Sequence, residues 1–401
     1  MSKALISDSV IYIGADDTTL DLFESQYPVP KGVSYNSYVI LDEKVAVMDT
    51  VDARATDIWF SNLEGVLEER QPDYLVVSHM EPDHAANIQR FAQKYPQAKI
   101  VGNAKTFPMI EQFFKLDVDD RRVVVKEGDT LNLGQHTLQF VMAPMVHWPE
   151  VMVAYEQKEK ILFSADAFGT FGALAGFGVS DAFDASDVFD AEAEWREEAA
   201  RYYLNIVGKY GAPVQALLKK AAALDIRMIC PLHGPILKEN LGYYLGLYQT
   251  WSTYEPEAKG VLIAYASIHG HTADAARQMA ELLRERGVQT EVIDLSRTDV
   301  SFAVRKAFYY DRMVLAAATY DGGVFPCMEE FLHHIRSKNY QKRTVGIMEN
   351  GSWAPLAGKV MREILGTMKA VSVAEPMVTV RSAVHGDSLA AMKQLADALA
   401  N

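Results

Sequence analysis

Between Tyr74 and Asn87 the chain reads YLVVSHMEPDHAAN, which places His79, Glu81, Asp83 and His84 within six consecutive positions. Imidazoles and carboxylates are nitrogen and oxygen donors for a divalent metal. Three more such residues follow apolar, strand-like runs elsewhere: His147 in APMVHWPE, Asp166 in LFSADAFG and His233 at the end of IRMICPLHG. Seven N/O donors are too many for one tetrahedral structural site and suit two metals that share a carboxylate. The mixture fits iron, manganese or zinc, and no cysteine is needed. His136, in the turn LGQHT, reads instead as solvent-facing.

The elements that must position these donors are short strands. Leu75-Val76-Val77 reads as a fully buried strand, and a strand that opens into a loop lets neighbouring side chains converge. A continuing strand would alternate them across two faces. SVIYIGADD and SYNSYVILDEKVAVMDT read as further strands, with Asp42-Glu43-Lys44 as a hairpin turn. TDIWFSNLEGVLEE has helical spacing and is closed off by Pro72, and AANIQRFAQKYP and Phe107 to Phe114 are also helical. From Arg122 to Phe163 the pattern returns to strands, and helices are expected near Trp195 to Tyr210 and Val214 to Leu224, covering the sheets. The acidic run from Asp181 to Glu198 reads as a solvated loop leading into a helix, the alternative being a docking or lid surface over the metal pocket.

A polar break at 252–260 follows the helical run KENLGYYLGLYQTW and divides the chain into domains over 1–253 and 260–401. Beyond it VLIAYA, TEVIDL, RMVLAAA, RTVGIM and VSVAEPMV alternate with helical stretches, the pattern of a doubly wound parallel sheet. The first strand-to-helix turn, Ser267, Ile268, His269, Gly270, His271 and Thr272, offers backbone N–H groups and hydroxyls to an anion. The third strand ends in Thr319, Tyr320, Asp321, Gly322 and Gly323, and the fourth runs into Asn350, Gly351, Ser352 and Trp353. Such strand ends flank the crevice in which a sheet of this kind binds its ligand. Tyr320 and Trp353 provide aromatic faces there.

Composition sets outer limits. The 401 residues carry a net charge of −14, which argues against nucleic acid and anionic membrane surfaces. No run approaches the ~18 apolar residues of a membrane span. The N-terminus, MSKALISDSV, lacks the apolar core of a signal peptide, and Cys230 and Cys327 are too few for a disulfide framework. A cytoplasmic location is expected.

The order H-x-E-x-D-H, then His, Asp and His, resembles the metallo-β-lactamase-like fold, an αββα sandwich. Glu81 stands where that superfamily's hydrolases usually have a second histidine, and in this the sequence resembles the flavodiiron proteins. The resemblance implies two non-haem irons, one held by His79, Glu81 and His147, the other by Asp83, His84 and His233, with Asp166 bridging and no separate acid or base. Whether His84 binds or swings away stays open, as does which of Tyr202 and Tyr203 reaches the metal pocket. The second half resembles flavodoxin, its first turn matching the S/T-x-x-G-N-T phosphate loop with His271 in place of Asn, which implies FMN with its ring against Tyr320 or Trp353.

By resemblance the activity is reduction of O2 to water, of NO to N2O, or both, with electrons relayed through FMN from an external donor such as rubredoxin. A head-to-tail homodimer, or a dimer of dimers, would set one subunit's FMN beside its partner's irons, with Trp353 at the junction. A dinuclear zinc hydrolase carrying a flavodoxin domain as redox regulator is the alternative, and Glu81 speaks against it. An electron carrier with a vestigial metal site is a third reading, opposed by the complete ligand set.

Overall fold

The computed structural model describes residues 4–177 and 192–400. Residues 181–191 of the acidic run lie outside the described residues, and its last part falls in helix Glu192–Tyr202. By internal contacts the chain divides into two units, Met1–Tyr203 with Tyr210–Gln249, and Leu204–Lys209 with Thr250–Asn401.

Strands Val45–Met48 and Tyr74–Val76 are buried at every residue, which requires a layer on each face. Alternate residues provide the two layers. Tyr38, Ile40, Ala46, Met48 and Val76 point into one core together with Phe140, Met152, Ala154, Ile161, Phe163 and Cys230 of a second sheet. On the other side of the first sheet, helix Thr56–Leu67 buries Trp59, Leu63 and Val66, and Trp59 meets Phe91 of helix Ile88–Lys94 at 6.3 Å between ring centroids.

The first sheet has seven strands, ordered Ala4–Leu5, Val10–Tyr12, Tyr38–Leu41, Val45–Met48, Tyr74–Val76, Lys99–Gly102, Arg122–Val124. The second has five, ordered Thr130–Asn132, Thr137–Met142, Met152–Glu156, Ile161–Phe163, Met228–Cys230. Helix Gly211–Ala221 follows, and its Lys220 Nζ donates to the Met142 carbonyl of the second sheet at 2.8 Å. The unit is thus an αββα sandwich, as expected.

In the second unit the main sheet runs Thr290–Asp294, Ala258–Ala266, Tyr310–Tyr320, Arg343–Asn350, Val371–Val373, all parallel. Numbered along the chain this is 2-1-3-4-5, the flavodoxin order, whose switch point lies between Ala258–Ala266 and Tyr310–Tyr320. The fifth strand differs from the continuous run expected: Val371–Val373 pairs with Arg343–Val345, and Val378–Val380 pairs separately with Met348–Asn350. The interruption contains Pro376, which has no N–H to donate to a ladder.

The helical run after Trp195 also differs from expectation. It passes through a π turn over Tyr203–Val207 and a 3-10 turn over Gly208–Tyr210 before helix Gly211–Ala221 begins. A π turn widens the helix by one residue and shifts the facing of everything after it. Within the second unit, Asn205 Nδ2 donates to the Ser301 carbonyl at 3.2 Å and Tyr254 Oη to the Gly208 carbonyl at 2.9 Å.

Candidate metal centre and ligand cleft

Five of the seven donors, His79, Glu81, His147, Asp166 and His233, lie in the loops that follow strands Tyr74–Val76, Thr137–Met142, Ile161–Phe163 and Met228–Cys230, where the backbone is no longer committed to a ladder. His79 and Glu81 occupy the loop after Tyr74–Val76. Asp83 and His84 are not in that loop but on a single helical turn, Pro82–Ala85, which begins with proline at its first position. The turn rotates this pair away from its predecessors and sorts the motif into two groups. His79, Glu81, His147 and Asp166 form one, and Asp83, His84 and His233 the other.

In the first group His147 Nε2 lies 3.0 Å from Glu81 Oε2 and 3.1 Å from Asp166 Oδ2. His79 Nε2 lies 3.2 Å from Glu81 Oε2 and 3.4 Å from Asp166 Oδ2. In the second, His84 Nε2 is 3.3 Å from Asp83 Oδ2 and 3.0 Å from His233 Nε2, and His233 Nε2 is 3.2 Å from Asp83 Oδ2. Asp166 joins the groups, because its other oxygen, Oδ1, lies 3.2 Å from His84 Nε2. His84 is therefore turned into the second group.

The donor set fits a pair of divalent ions. Metal–ligand bonds of about 2.0–2.2 Å put neighbouring ligand atoms about 2.9–3.5 Å apart in tetrahedral or octahedral shells. Every separation above lies in that range. Both oxygens of Asp83 and Oδ1 of Asp166 are buried and accept no hydrogen bond, an arrangement costly without a cation to face. His233 Nδ1 is 2.7 Å from the Ser34 carbonyl and must donate to it, so its Nε2 lone pair points at the second group.

Electrostatics agree. Burial alone would lower the pKa of His79, but Asp166, Glu150 and Glu81 outweigh it and hold it well above the usual histidine range. Burial likewise opposes ionisation of Asp166, yet His79, His84 and His147 keep it well below the carboxylate range. His147, also desolvated, is raised to about 9 by Asp166 and Glu81. Opposite charges packed this tightly hold one another, and a metal ion takes over the role of the protons when it binds.

The backbone around the donors is strained. Asp49, Met145 and Ala165 all have positive φ, +54°, +66° and +51°, without being glycine. Ala165 precedes Asp166, and Asp49 accepts the Ser78 N–H at 2.7 Å, fixing the strand end before His79. Gly234, at φ +76° directly after His233, lies where a Cβ would come within 2.1 Å of Thr170 Cγ2.

Of the two tyrosines, Tyr202 faces the metal groups. Its ring centroid is 5.6 Å from that of His233, and its buried hydroxyl has no hydrogen-bond partner. Burial, then Asp166, Asp83 and Glu81, hold it well above the usual phenol range. Tyr203 packs on Tyr248 instead, at 5.0 Å.

His136 is a correction. It is not solvent-facing but 1% exposed, with Nδ1 2.8 Å from Asp42 Oδ2 and Nε2 3.3 Å from Glu159 Oε1. Its turn meets the Asp42–Lys44 turn of the other sheet, and the His136 N–H also donates to Asp42 at 2.6 Å. Residues that sequence reasoning passed over include Ser34, Asp49 and Glu150. Glu150 Oε1 takes the His79 Nδ1–H at 2.8 Å and the Met80 N–H at 2.9 Å. Its place three residues after His147 was the one available signal.

In the second unit a cleft of about 630 Å³ opens at the strand ends. Ser267, Ile268, His269, His271 and Thr272 line it from the first turn, Thr319, Tyr320, Asp321 and Gly322 from the third strand, and Asn350, Gly351, Ser352 and Trp353 from the fourth. Gly270 and Gly323 are not on its wall. Gly270, at φ +97°, caps helix His271–Arg284 and donates its N–H to Ser267 Oγ at 3.1 Å, while Gly323 pairs with Tyr320 in a hairpin. Ala318, Ala354, Leu356 and Ser382 also line the cleft and went unforeseen. Ser382 Oγ lies 2.8 Å from Ser352 Oγ. The helix of 14 residues directs its positive end at this turn. Tyr320 is 44% and Trp353 89% exposed.

Residues 33–234 match the family model described as ODP family beta lactamase, and residues 262–369 match a flavodoxin domain. The chain is 27% identical over 390 residues to a nitric oxide reductase of Moorella thermoacetica, covering 96% of this chain and 94% of that protein. It is 28% identical to an anaerobic nitric oxide reductase flavorubredoxin of Aliivibrio salmonicida, over 87% of this chain and 69% of the other. The solved structure of rubredoxin oxygen:oxidoreductase from Desulfovibrio gigas superposes with a TM-score of 0.92 at 26% identity, covering 100% of this chain and 98% of that one. No helix among the described residues is long and apolar enough to cross a membrane.

Proposed function

The chain belongs to the ODP family of β-lactamase-like proteins and carries a flavodoxin domain in the flavodiiron arrangement, and from that premise we propose that it reduces O2, NO or both at a non-haem diiron centre. It is an oxidoreductase. The observation that carries the finer reading is Asp166, whose two oxygens are divided between two otherwise equal donor groups. Glu81 supports iron over a zinc hydrolase, since a carboxylate at that position adds negative charge that stabilises a metal cycling to a higher charge.

His79, Glu81 and His147 would hold one iron and Asp83, His84 and His233 the other. The cleft would hold FMN, its phosphate against Ser267, His271, Thr272 and the helix N-terminus, its ring against Tyr320 and Trp353. Bound, the flavin and the irons supply the redox chemistry, the flavin mediating between two-electron and one-electron steps. The protein's own groups do the rest. Asp166 fixes the spacing of the two positions, Glu150 and the Ser34 carbonyl orient His79 and His233, and Tyr202 offers a hydroxyl proton toward the metal groups in a pocket that burial keeps dry.

Electrons come from an external donor of the rubredoxin class. A head-to-tail homodimer presents one protomer's Trp353, exposed in the single chain, to its partner. Anaerobically purified protein is expected to contain about two irons and one FMN per chain. Steady-state rates with O2 and with NO, using one reduced donor, give the substrate preference. A protein that holds two zinc ions, and turns over neither gas when loaded with iron and FMN, would sink the proposal.

A further inference from the structure

We infer that Glu150 is a positioning residue that makes the two metal positions unequal, so that the one at His79, Glu81 and His147 binds its ion more tightly than the one at Asp83, His84 and His233. The inference rests on reading the two groups as a metal pair. Each position has the same immediate donors: two imidazoles, one carboxylate of its own, and one oxygen of Asp166. With the donor types matched, what stands behind them is a direct source of unequal affinity.

Behind them the two positions differ. His79 Nδ1 meets a carboxylate, Glu150 Oε1, at 2.8 Å. His233 Nδ1 meets a neutral carbonyl, that of Ser34, at 2.7 Å. His84 Nδ1 is buried with no hydrogen-bond partner. Among the described residues, His79 alone of the four has a carboxylate at its outer nitrogen. A carboxylate there draws the Nδ1 proton away, leaves Nε2 more basic, and locks the ring's tautomer and angle.

Glu150 is itself built in. It is 1% exposed, its Oε1 is also held by the Met80 N–H at 2.9 Å, and its Oε2 is buried without a hydrogen bond. Asn103 Nδ2 donates to its backbone carbonyl. The other buried acid close by, Asp49, accepts the Ser78 N–H and is hydrogen-bonded to none of the four imidazoles. Asp49 reaches His84 and His79 only through space, so among the described residues the one carboxylate hydrogen-bonded behind a donor stands at the first position.

The test is titration of the metal-free, FMN-loaded full chain with Co(II), followed by its visible absorption. Wild-type protein is expected to fill in two resolved steps. E150Q keeps a hydrogen-bond acceptor but loses the charge, and should weaken the tight step about 10- to 100-fold while leaving the weak one in place. E150D keeps the charge and should stay nearer wild type than E150Q, which preserves a comparison if E150Q folds poorly. In a D83A background, which spoils the second position, E150Q should weaken the remaining site, and in an E81A background it should not. Equal weakening in both backgrounds, or in neither, overturns the inference while leaving the diiron reading intact. Wild-type protein that binds fewer than two Co(II) overturns that reading itself.

Discussion

A single carboxylate, Asp166, touches both donor groups, so its removal should cost both metals. Asp166→Ala is expected to drop iron from about two per chain to well under one while the flavin absorption is unchanged, as measured by metal analysis of protein purified without oxygen. Gly234 makes the opposite sort of demand, for the absence of a side chain. Gly234→Ala would force a Cβ against Thr170 at a positive φ and should destabilise the first unit by about 1–3 kcal/mol, read from urea midpoints. The seven residues that the structure gathers into two groups could be singled out in the sequence because His79, His147, Asp166 and His233 each follow an apolar run, a position that is written locally. Glu150 could not be weighed in the same way. Its role depends on meeting a histidine 71 positions earlier, and a hydrogen bond between distant residues leaves no spacing to read. His136 misled for the same reason, since its turn looks solvated until Asp42, 94 positions away, closes over it.

Elements were legible where their period was strong and obscure where one residue interrupts it. The strands buried on both faces and helix Thr56–Leu67 follow their hydrophobic patterns. The split fifth strand and the π turn at Tyr203–Val207 arise from local exceptions that an averaged pattern hides. The sorting of one six-residue motif into two groups was equally hidden, because it depends on Pro82 starting a single helical turn. At this scale the strand Ala15–Asp17 offers a test of pH dependence. Asp17 accepts from Arg54 Nε at 2.5 Å and from the Thr19 N–H and hydroxyl. Burial pushes its pKa up, but Arg54 and Thr19 prevail and bring it down to about 2. The unfolded-state value is about 3.9, so the stabilisation is fully present above pH ~4 and lost as pH falls through 2. Asp17→Asn should therefore lower stability by about 1 kcal/mol at neutral pH, allowing for solvent screening of the half-exposed Arg54. The gap between variant and wild type should close between pH 4 and pH 2 in chemical denaturation.

The whole molecule joins two units whose ligand sites are built by the same device, polar residues at the ends of strands. The candidate metal residues all lie in the first unit and the lining of the cleft in the second, so the cofactors should be separable. Protein stripped of FMN is expected to keep its iron and lose turnover with an external donor, and re-adding FMN should restore the rate, as followed by gas consumption. If the iron left with the flavin, the sites would not be independent. One property of the cleft has an optical consequence. Trp59, Trp195 and Trp251 are buried, whereas Trp353 at the lip of the cleft is exposed in the single chain. A water-exposed indole emits at longer wavelength than buried ones, and an isoalloxazine held in the cleft would absorb in that band. The red edge of the protein's own fluorescence is thus a label-free gauge of whether the cleft is filled, and it should darken as flavin enters.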